Sequence, residues 1–244
     1  MMRIPRVYSP QLISIGDEVK LEPGPTRHLT SVLRMSVGQE VILFNGQGGE
    51  YSGQLVEARK GLASVEIKTF NETDRESPLS LHLGIGISRG ERMDWIVQKA
   101  TELGATQITP LFSERCEVKL TGDRLVKRVR HWQQVAISAC EQCQRNKLPT
   151  INSPVPIQNW LANCSEDLKL LMHHRANKRL HDLAQQAASV ALLVGPEGGF
   201  SDQEINQSGQ QGFQPLAIGP RVLRTETAPV AAISIVQVLW GDFQ

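Results

Sequence analysis

Two runs near the end of the chain decide its fold: Leu192–Glu204, LLVGPEGGFSDQE, and Leu216–Pro229, LAIGPRVLRTETAP. Each opens as an apolar strand, Leu192–Val194 and Leu216–Ile218, and each strand stops at a Gly-Pro pair, Gly195-Pro196 and Gly219-Pro220. A buried strand that ends in a glycine-rich bend and leads to a helix is how an open α/β sheet presents a ligand site. Two such bends within about 25 residues predict one ligand held by both. The three glycines of Gly195–Gly199 let backbone N–H and C=O groups approach a flat heterocycle closely. That loop lacks the Lys-Ser/Thr of a phosphate-binding loop and the GxGxxG spacing of a dinucleotide fold, so neither ligand class is favoured. Taken alone, the same loop also reads as a tight structural turn.

Beyond the second bend, Arg221, Arg224 and Glu226 form a dense polar cluster where side chains should face a cleft. Arginine can clamp a phosphate or orient a base, and glutamate can accept a proton or fix an arginine. The competing reading is an ion pair at the start of the last helix, with Glu226 near its positive end.

Outward from these motifs, residues 79–244 alternate strands and helices. Strands are expected at Leu79–Ile87, Gln107–Phe112, Leu168–Met172, Val190–Val194 and Pro215–Ile218. A helix at Glu91–Leu103 follows from Met93, Ile96, Val97, Ala100 and Leu103 at helical spacing, with Gly104 suited to its C-terminal cap. A longer helix, Asp123–Gln144, carries Leu125, Val129, Trp132, Ala136, Ala139 and Cys143 on one stripe. Its first half carries Arg124, Lys127, Arg128, Arg130 and His131. Ser201-Asp-Gln-Glu204 is a capping box, and the last helix is expected to start near Pro229. This alternation implies a mostly parallel sheet with helices on both faces. Residues 1–72 read instead as a small β-barrel. Its short strands are expected at Val19–Leu21, Glu40–Phe44, Tyr51–Val56 and Ala63–Ile67, with turns at Asn45–Gly49 and Lys60-Gly61. One helix, Thr26–Met35, interrupts them, with Leu29, Val32 and Leu33 on one face and Arg27 and Arg34 exposed. The polar stretch at 73–78 reads as a linker.

Composition limits the function classes. The hydrophobic content of 40% supports a real core, and no run approaches a membrane span. With no signal-peptide segment and four cysteines too few for a disulfide framework, a reducing cytoplasm is the expected setting. The net charge is only +1, yet residues 113–147 hold eight Lys/Arg against four Asp/Glu. That local excess suits either a nucleic-acid partner or a solvated helix face. Cys140-x-x-Cys143 lies mid-helix with no second such pair, so buried thiols are expected there and no metal site.

The combination of LLVGPEGGFS, LAIGPRVLRTETA, KATELG at 99–104, ITPLFSER at 108–115 and CEQCQRN at 140–146 resembles the RsmE family, SPOUT-class methyltransferases that modify N3 of a uridine in 16S ribosomal RNA. The resemblance covers nearly the whole chain, including the N-terminal MRIPR. It implies an N-terminal PUA-like β-barrel for RNA and a C-terminal α/β domain with a deep trefoil knot. It also implies a homodimer through the C-terminal domain, S-adenosylmethionine (SAM) as methyl donor, and the small ribosomal subunit as partner. Family members carry Ala where this chain has Pro229, a change compatible with a helix start.

Carried onto this chain, the cofactor site comprises Met172 and His173, the loop Gly195, Pro196, Glu197, Gly198 and Gly199, and Leu216, Ile218, Gly219, Val222, Leu223 and Thr225. Uridine N3 is a weak acid, so the enzyme must hold it in line with the methyl group and help remove or stabilise charge. Arg224 and Glu226 are the expected catalytic pair, with Arg221 beside them. Glu141, Arg145 and Asn146 are expected to help position the base. Arg3, Arg6, Arg34, Arg115 and Lys119 are the expected phosphate contacts, although Arg3 and Arg6 also read as solvated terminal charges. A ribose 2′-O-methyltransferase and a non-catalytic assembly factor are the alternative functions.

Overall fold

In the computed structural model the chain is described over residues 4–176 and 186–243. It divides into two compact units: residues 1–76 with 140–148, and residues 77–139 with 149–244.

The first unit is a five-stranded sheet in the order β1-β3-β4-β5-β2. Its strands are β1 (Arg6–Tyr8), β2 (Glu18–Lys20), β3 (Glu40–Phe44), β4 (Glu50–Arg59) and β5 (Leu62–Asn71). Positive φ at Gly46, Gly48 and Gly49 carries the β3–β4 turn, and Gly61 carries the β4–β5 turn, as the sequence predicts. The interior is built from alternate strand residues, among them Val41, Leu43, Leu55, Val65 and Ile67. The expected Thr26–Met35 helix is a finding against simple periodicity. A short helix α1 (Pro23–Arg27) passes into a wider turn over His28–Val32, closed by Leu33 N donating to His28 O at 2.9 Å. The wider winding rotates the apolar face, so Leu29 is buried while Val32 and Leu33 are exposed.

Residues 73–76 and 140–148 meet inside this unit through a buried polar network. Arg6 donates to Glu50 at 2.5 Å, to Asn146 Oδ1 at 2.7 Å and to the Arg145 carbonyl at 3.0 Å. Arg145 is paired with Glu76, and Asn146 donates to the Thr73 carbonyl. The polar composition of 73–76 is therefore part of a packed structure.

The second unit holds a seven-stranded parallel sheet in the order β12-β10-β11-β6-β7-β8, with β9 also paired to β7. The strands are β6 (Ser80–Gly86), β7 (Gln107–Phe112), β8 (Thr150–Ile151), β9 (Val155–Pro156), β10 (Leu168–Met172), β11 (Ser189–Val194) and β12 (Gln214–Leu216). Its helices are α2 (Arg92–Glu102), α3 (Gly122–Cys143), α4 (Ile157–Asn163), α5 (Asp202–Gln210) and α6 (Thr227–Trp240), and the last four residues of α3 count with the first unit. Both sheet faces are covered, which is why β11 reads as an unbroken apolar run. Val190, Leu192 and Val194 enter a core shared with α2, α3 and α6; Ala191 and Leu193 enter a second core with α4 and Phe213. On α3 it is Cys140, not Cys143, that is fully buried, and neither forms a disulfide.

Along β6, Leu81, Leu83 and Ile85 fill the first core, while His82, Gly84 and Gly86 face the other way. A Cβ on Gly84 would enter the Trp160 ring, so this face is kept thin for α4. Trp160 Nε1 donates to His82 Nε2 at 3.0 Å, which fixes the other ring proton on Nδ1, pointed at Glu166 Oε1 2.7 Å away. Burial alone would raise the Glu166 carboxyl, but the His82 hydrogen bond and local backbone N–H groups outweigh it and hold the group below its ordinary value. A depressed acid adds stability above its unfolded pKa of about 4.3 and loses it as pH falls through the folded value. Thermal melts between about pH 5 and 3 should therefore decline less steeply for Glu166→Gln than for the wild type.

Candidate active site

The carboxyl ends of β10, β11 and β12 enclose a cavity of about 560 Å³. Its walls come from Met172–Arg175 after β10, Val194–Phe200 after β11, and Leu216, Ile218, Arg221–Leu223, Thr225 and Ala228 around and beyond β12. His173 N donates to Leu216 O at 3.0 Å and so ties the first wall to the third. Burial, followed by the nearby His174 and Arg175, lowers the His173 imidazole below its ordinary value.

The loop after β11 is shaped by close backbone approaches. Gly86 at the end of β6 leaves room for Pro196, whose backbone N and Cδ would collide with any Cβ placed there. Gly199 N donates to Pro196 O at 2.8 Å, and Gly199 has φ +68°, a conformation that favours glycine. A Cβ on Gly195 would come within 3.2 Å of Gly199 Cα. The loop then runs into the capping box of α5, in which Ser201 N donates to Glu204 at 2.9 Å and Glu204 N donates to Ser201 Oγ at 3.4 Å. Glu204 also accepts from Glu114 N at 2.8 Å.

Charged groups brace the loop from outside. Glu197 accepts from Arg92 Nη1 at 2.7 Å and from Arg89 N at 3.3 Å. Burial would raise its carboxyl, but its own backbone N–H and these two donors outweigh that and hold it below its ordinary value. Arg115 Nη1 donates to Gly198 O at 3.1 Å.

Most of the residues expected around a cofactor line this one cavity: Met172, His173, Gly195–Gly199, Leu216, Ile218, Val222, Leu223 and Thr225. Gly219 does not; it forms an exposed turn with φ +71°. Arg221 lines the cavity, whereas Arg224 and Glu226 stand outside its lining. The Arg224 carbonyl accepts from Thr227 N and Ala228 N at the start of α6, and Glu226 makes no side-chain cap bond. Among the described residues Arg224 and Glu226 form no ion pair, although Glu226 stands at the N-cap of α6.

The expected RNA contacts divide sharply. Arg115 belongs to the cavity wall, while Lys119 and Arg34 are exposed. Arg6, Arg145 and Asn146 are buried in the first unit's network, where the Arg6 Nη groups, the Arg145 guanidinium and the Asn146 amide meet partners of that unit and are not offered to a base or phosphate. Glu141 is half-buried and accepts from Tyr8 N at 3.0 Å. Arg3 lies outside the described residues.

Comparison with known proteins agrees with this geometry. Residues 75–237 match the RNA methyltransferase domain, and residues 26–68 match the RNA methyltransferase PUA domain. Ribosomal RNA small subunit methyltransferase E of Buchnera aphidicola subsp. Schizaphis graminum is 37% identical, with 98% of each chain covered. The chain belongs to the RsmE family. Two RsmE-like structures superpose over 99% of this chain and all of their own. A Legionella pneumophila methyltransferase in complex with SAM gives a TM-score of 0.97 at 42% identity. The methyltransferase E of Neisseria gonorrhoeae, bound to SAM, gives 0.93 at 41%.

Seen as an RsmE member, the chain holds site residues that the motifs did not flag. Gly86 and Arg92 act on the loop from β6 and α2, and His174, Arg175, Phe200, Asp202, Ile205 and Ala228 complete the lining. The paired glycines in LHLGIGIS were the available signal for Gly86. Among the described residues no cluster of His, Cys, Asp and Glu could hold a metal, and no helix is long and apolar enough to cross a membrane.

Proposed function

We propose that this protein transfers a methyl group from SAM to N3 of a uridine in 16S ribosomal RNA of the small subunit, in the cytoplasm. The observation that carries the reading is the joint enclosure of one cavity by the Gly195-Pro196 bend and by the residues on either side of the second bend, Leu216 and Ile218 before it and Arg221–Leu223 after it. Its volume falls in the ~300–1,000 Å³ range of small-molecule sites. Met172, Leu216, Ile218 and Leu223 offer apolar walls to an adenine ring, and the glycine loop offers backbone polar groups at its edge. When bound there, SAM supplies an electrophilic methyl on a cationic sulfur.

The chain's residues do the rest. Arg221 reaches the cavity wall, and Arg224 and Glu226 follow it along the chain, free of internal partners among the described residues. Arg224 stabilises negative charge at the uracil carbonyls as N3 loses its proton; Glu226 orients Arg224 or accepts that proton. The unpaired state of both groups leaves their charge available to a substrate. We assign RNA binding to the β-barrel of residues 1–72 and methyl transfer to residues 79–244. A homodimer through the second unit, with the exposed Val238 and Leu239 of α6 at the contact, and a knotted crossing behind β12 accompany this reading.

The test is methyl transfer to small subunits lacking the modification, with the product nucleoside located by mass spectrometry. A methyl on N3 of uridine supports the proposal; a 2′-O-methyl product or no transfer defeats it. SAM affinity should also respond to the loop brace. Arg92→Ala removes one half-exposed, charge-assisted hydrogen bond from Glu197 and should weaken SAM binding about three- to tenfold by calorimetry.

A further inference from the structure

We infer that the first half of α3 is a track for RNA phosphates, an interaction surface additional to the catalytic cavity. The inference rests on the RNA-methyltransferase reading above and names a place where that RNA is held. It starts from a charge pattern that works against the helix itself. α3 runs 22 residues, has Asp123 as the acid of its first turn and has no basic residue in its last turn. Its cations are gathered at the amino-terminal half, where the helix dipole disfavours them. Arg124, Lys127, Arg128, Arg130 and His131 stand at spacings of three and four, so like charges are neighbours along this half of the helix.

The neighbouring element neutralises only part of this face. Asp94 of α2 is the carboxylate within reach, and it is already used. It accepts from His131 at 2.7 Å and from Trp132 Nε1 at 3.1 Å, and it lies 3.9 Å from Arg128. Arg124, Lys127 and Arg130 are exposed and have no carboxylate partner among the described residues. The apolar stripe of the same helix is meanwhile well anchored, with Trp132 and Ala136 in the core. The helix therefore presents three exposed cations to solvent with no carboxylate partner among the described residues, at spacings where like charges repel. A polyanion brought against this face removes that repulsion. Phosphates at regular spacing along an RNA backbone meet the requirement with no demand on sequence.

The experiment uses the full chain and an unmodified 16S rRNA transcript as probe, with affinity measured across a salt series. R124Q/K127Q/R130Q should bind the transcript at least about tenfold more weakly near 0.1 M salt. Its slope of log affinity against log salt should be shallower by about two to three, the value for three lost phosphate contacts. SAM affinity should stay at the wild-type level, since none of the three lines the cavity. The charge-conserving R124K/K127R/R130K should keep the wild-type slope. Unchanged RNA affinity in the glutamine variant overturns the inference and leaves an acidic protein surface as the partner for this face. Weaker binding with an unchanged slope overturns it too, as does a shallower slope in the charge-conserving variant. Because RNA binding is read separately from methyl transfer, failure of this surface and failure of the proposed reaction give different results.

Discussion

Arg224→Ala is expected to lower methyl transfer to small ribosomal subunits by about 10²- to 10³-fold, the usual consequence of deleting one donor to a developing negative charge. SAM affinity should be unchanged, because Arg224 lies outside the cavity lining. Folding should be unaffected as well: the group that serves α6 is the Arg224 carbonyl, which alanine retains. Arg221→Ala differs in kind. Arg221 lines the cavity, so its loss should weaken SAM binding as well as turnover. Calorimetry with SAM alone, set beside turnover on subunits, separates the two. Equal losses of SAM affinity in both variants would assign Arg224 to the cofactor and remove it from catalysis.

The second large effect is expected from a residue that never touches the cavity. Gly86→Ala adds one carbon where Pro196 N and Cδ already stand, and neither backbone nor proline ring can swing aside as a flexible side chain would. The loop must shift, or β6 must. Overpacking of this kind costs about 1–3 kcal/mol, and here the strain falls on the bend that walls the site. SAM affinity should drop about 10- to 100-fold, with a loss of only a few degrees in Tm. Gly209→Ala is a suitable comparison: it adds the same carbon within the second unit, at a φ any residue adopts, and a Cβ there meets nothing within 4 Å. Wild-type SAM affinity in Gly86→Ala would show that the loop does not depend on this approach.

The second unit was largely legible because its elements are long and strongly periodic. The expected strands at 107–112 and 168–172 fall on their observed bounds, and the helix expected at 91–103 forms over 92–102. The first Gly-Pro bend identified the cavity because a strand end followed by glycines restricts what the chain can do next; of the second, only the flanking residues line it, and Gly219 and Pro220 stand outside. Less was readable where contacts distant in sequence decide the outcome. Gly86 looks like any strand glycine until Pro196, 110 residues later, is placed against it. Arg6, Arg145 and Asn146 read as surface polar groups, since nothing local shows that each will meet partners from the other end of the unit. In the same way, helical spacing placed Val32 and Leu33 inside, but the wider turn at His28–Val32 turned them out. Short elements such as β8, β9 and α4 owe their form to the sheet they dock on.

The return of residues 140–148 to the first unit has a consequence for how the protein is made. Translation delivers β1 through β5 long before Arg145 and Asn146 exist, so for roughly seventy further codons Arg6 and Glu50 must wait for the partners that will enclose them. The amino-terminal unit thus reaches its finished state only after the nascent chain has passed Leu148. Expressing residues 1–76 alone would freeze that unfinished stage, with a guanidinium and a carboxylate left at the surface in place of a sealed network.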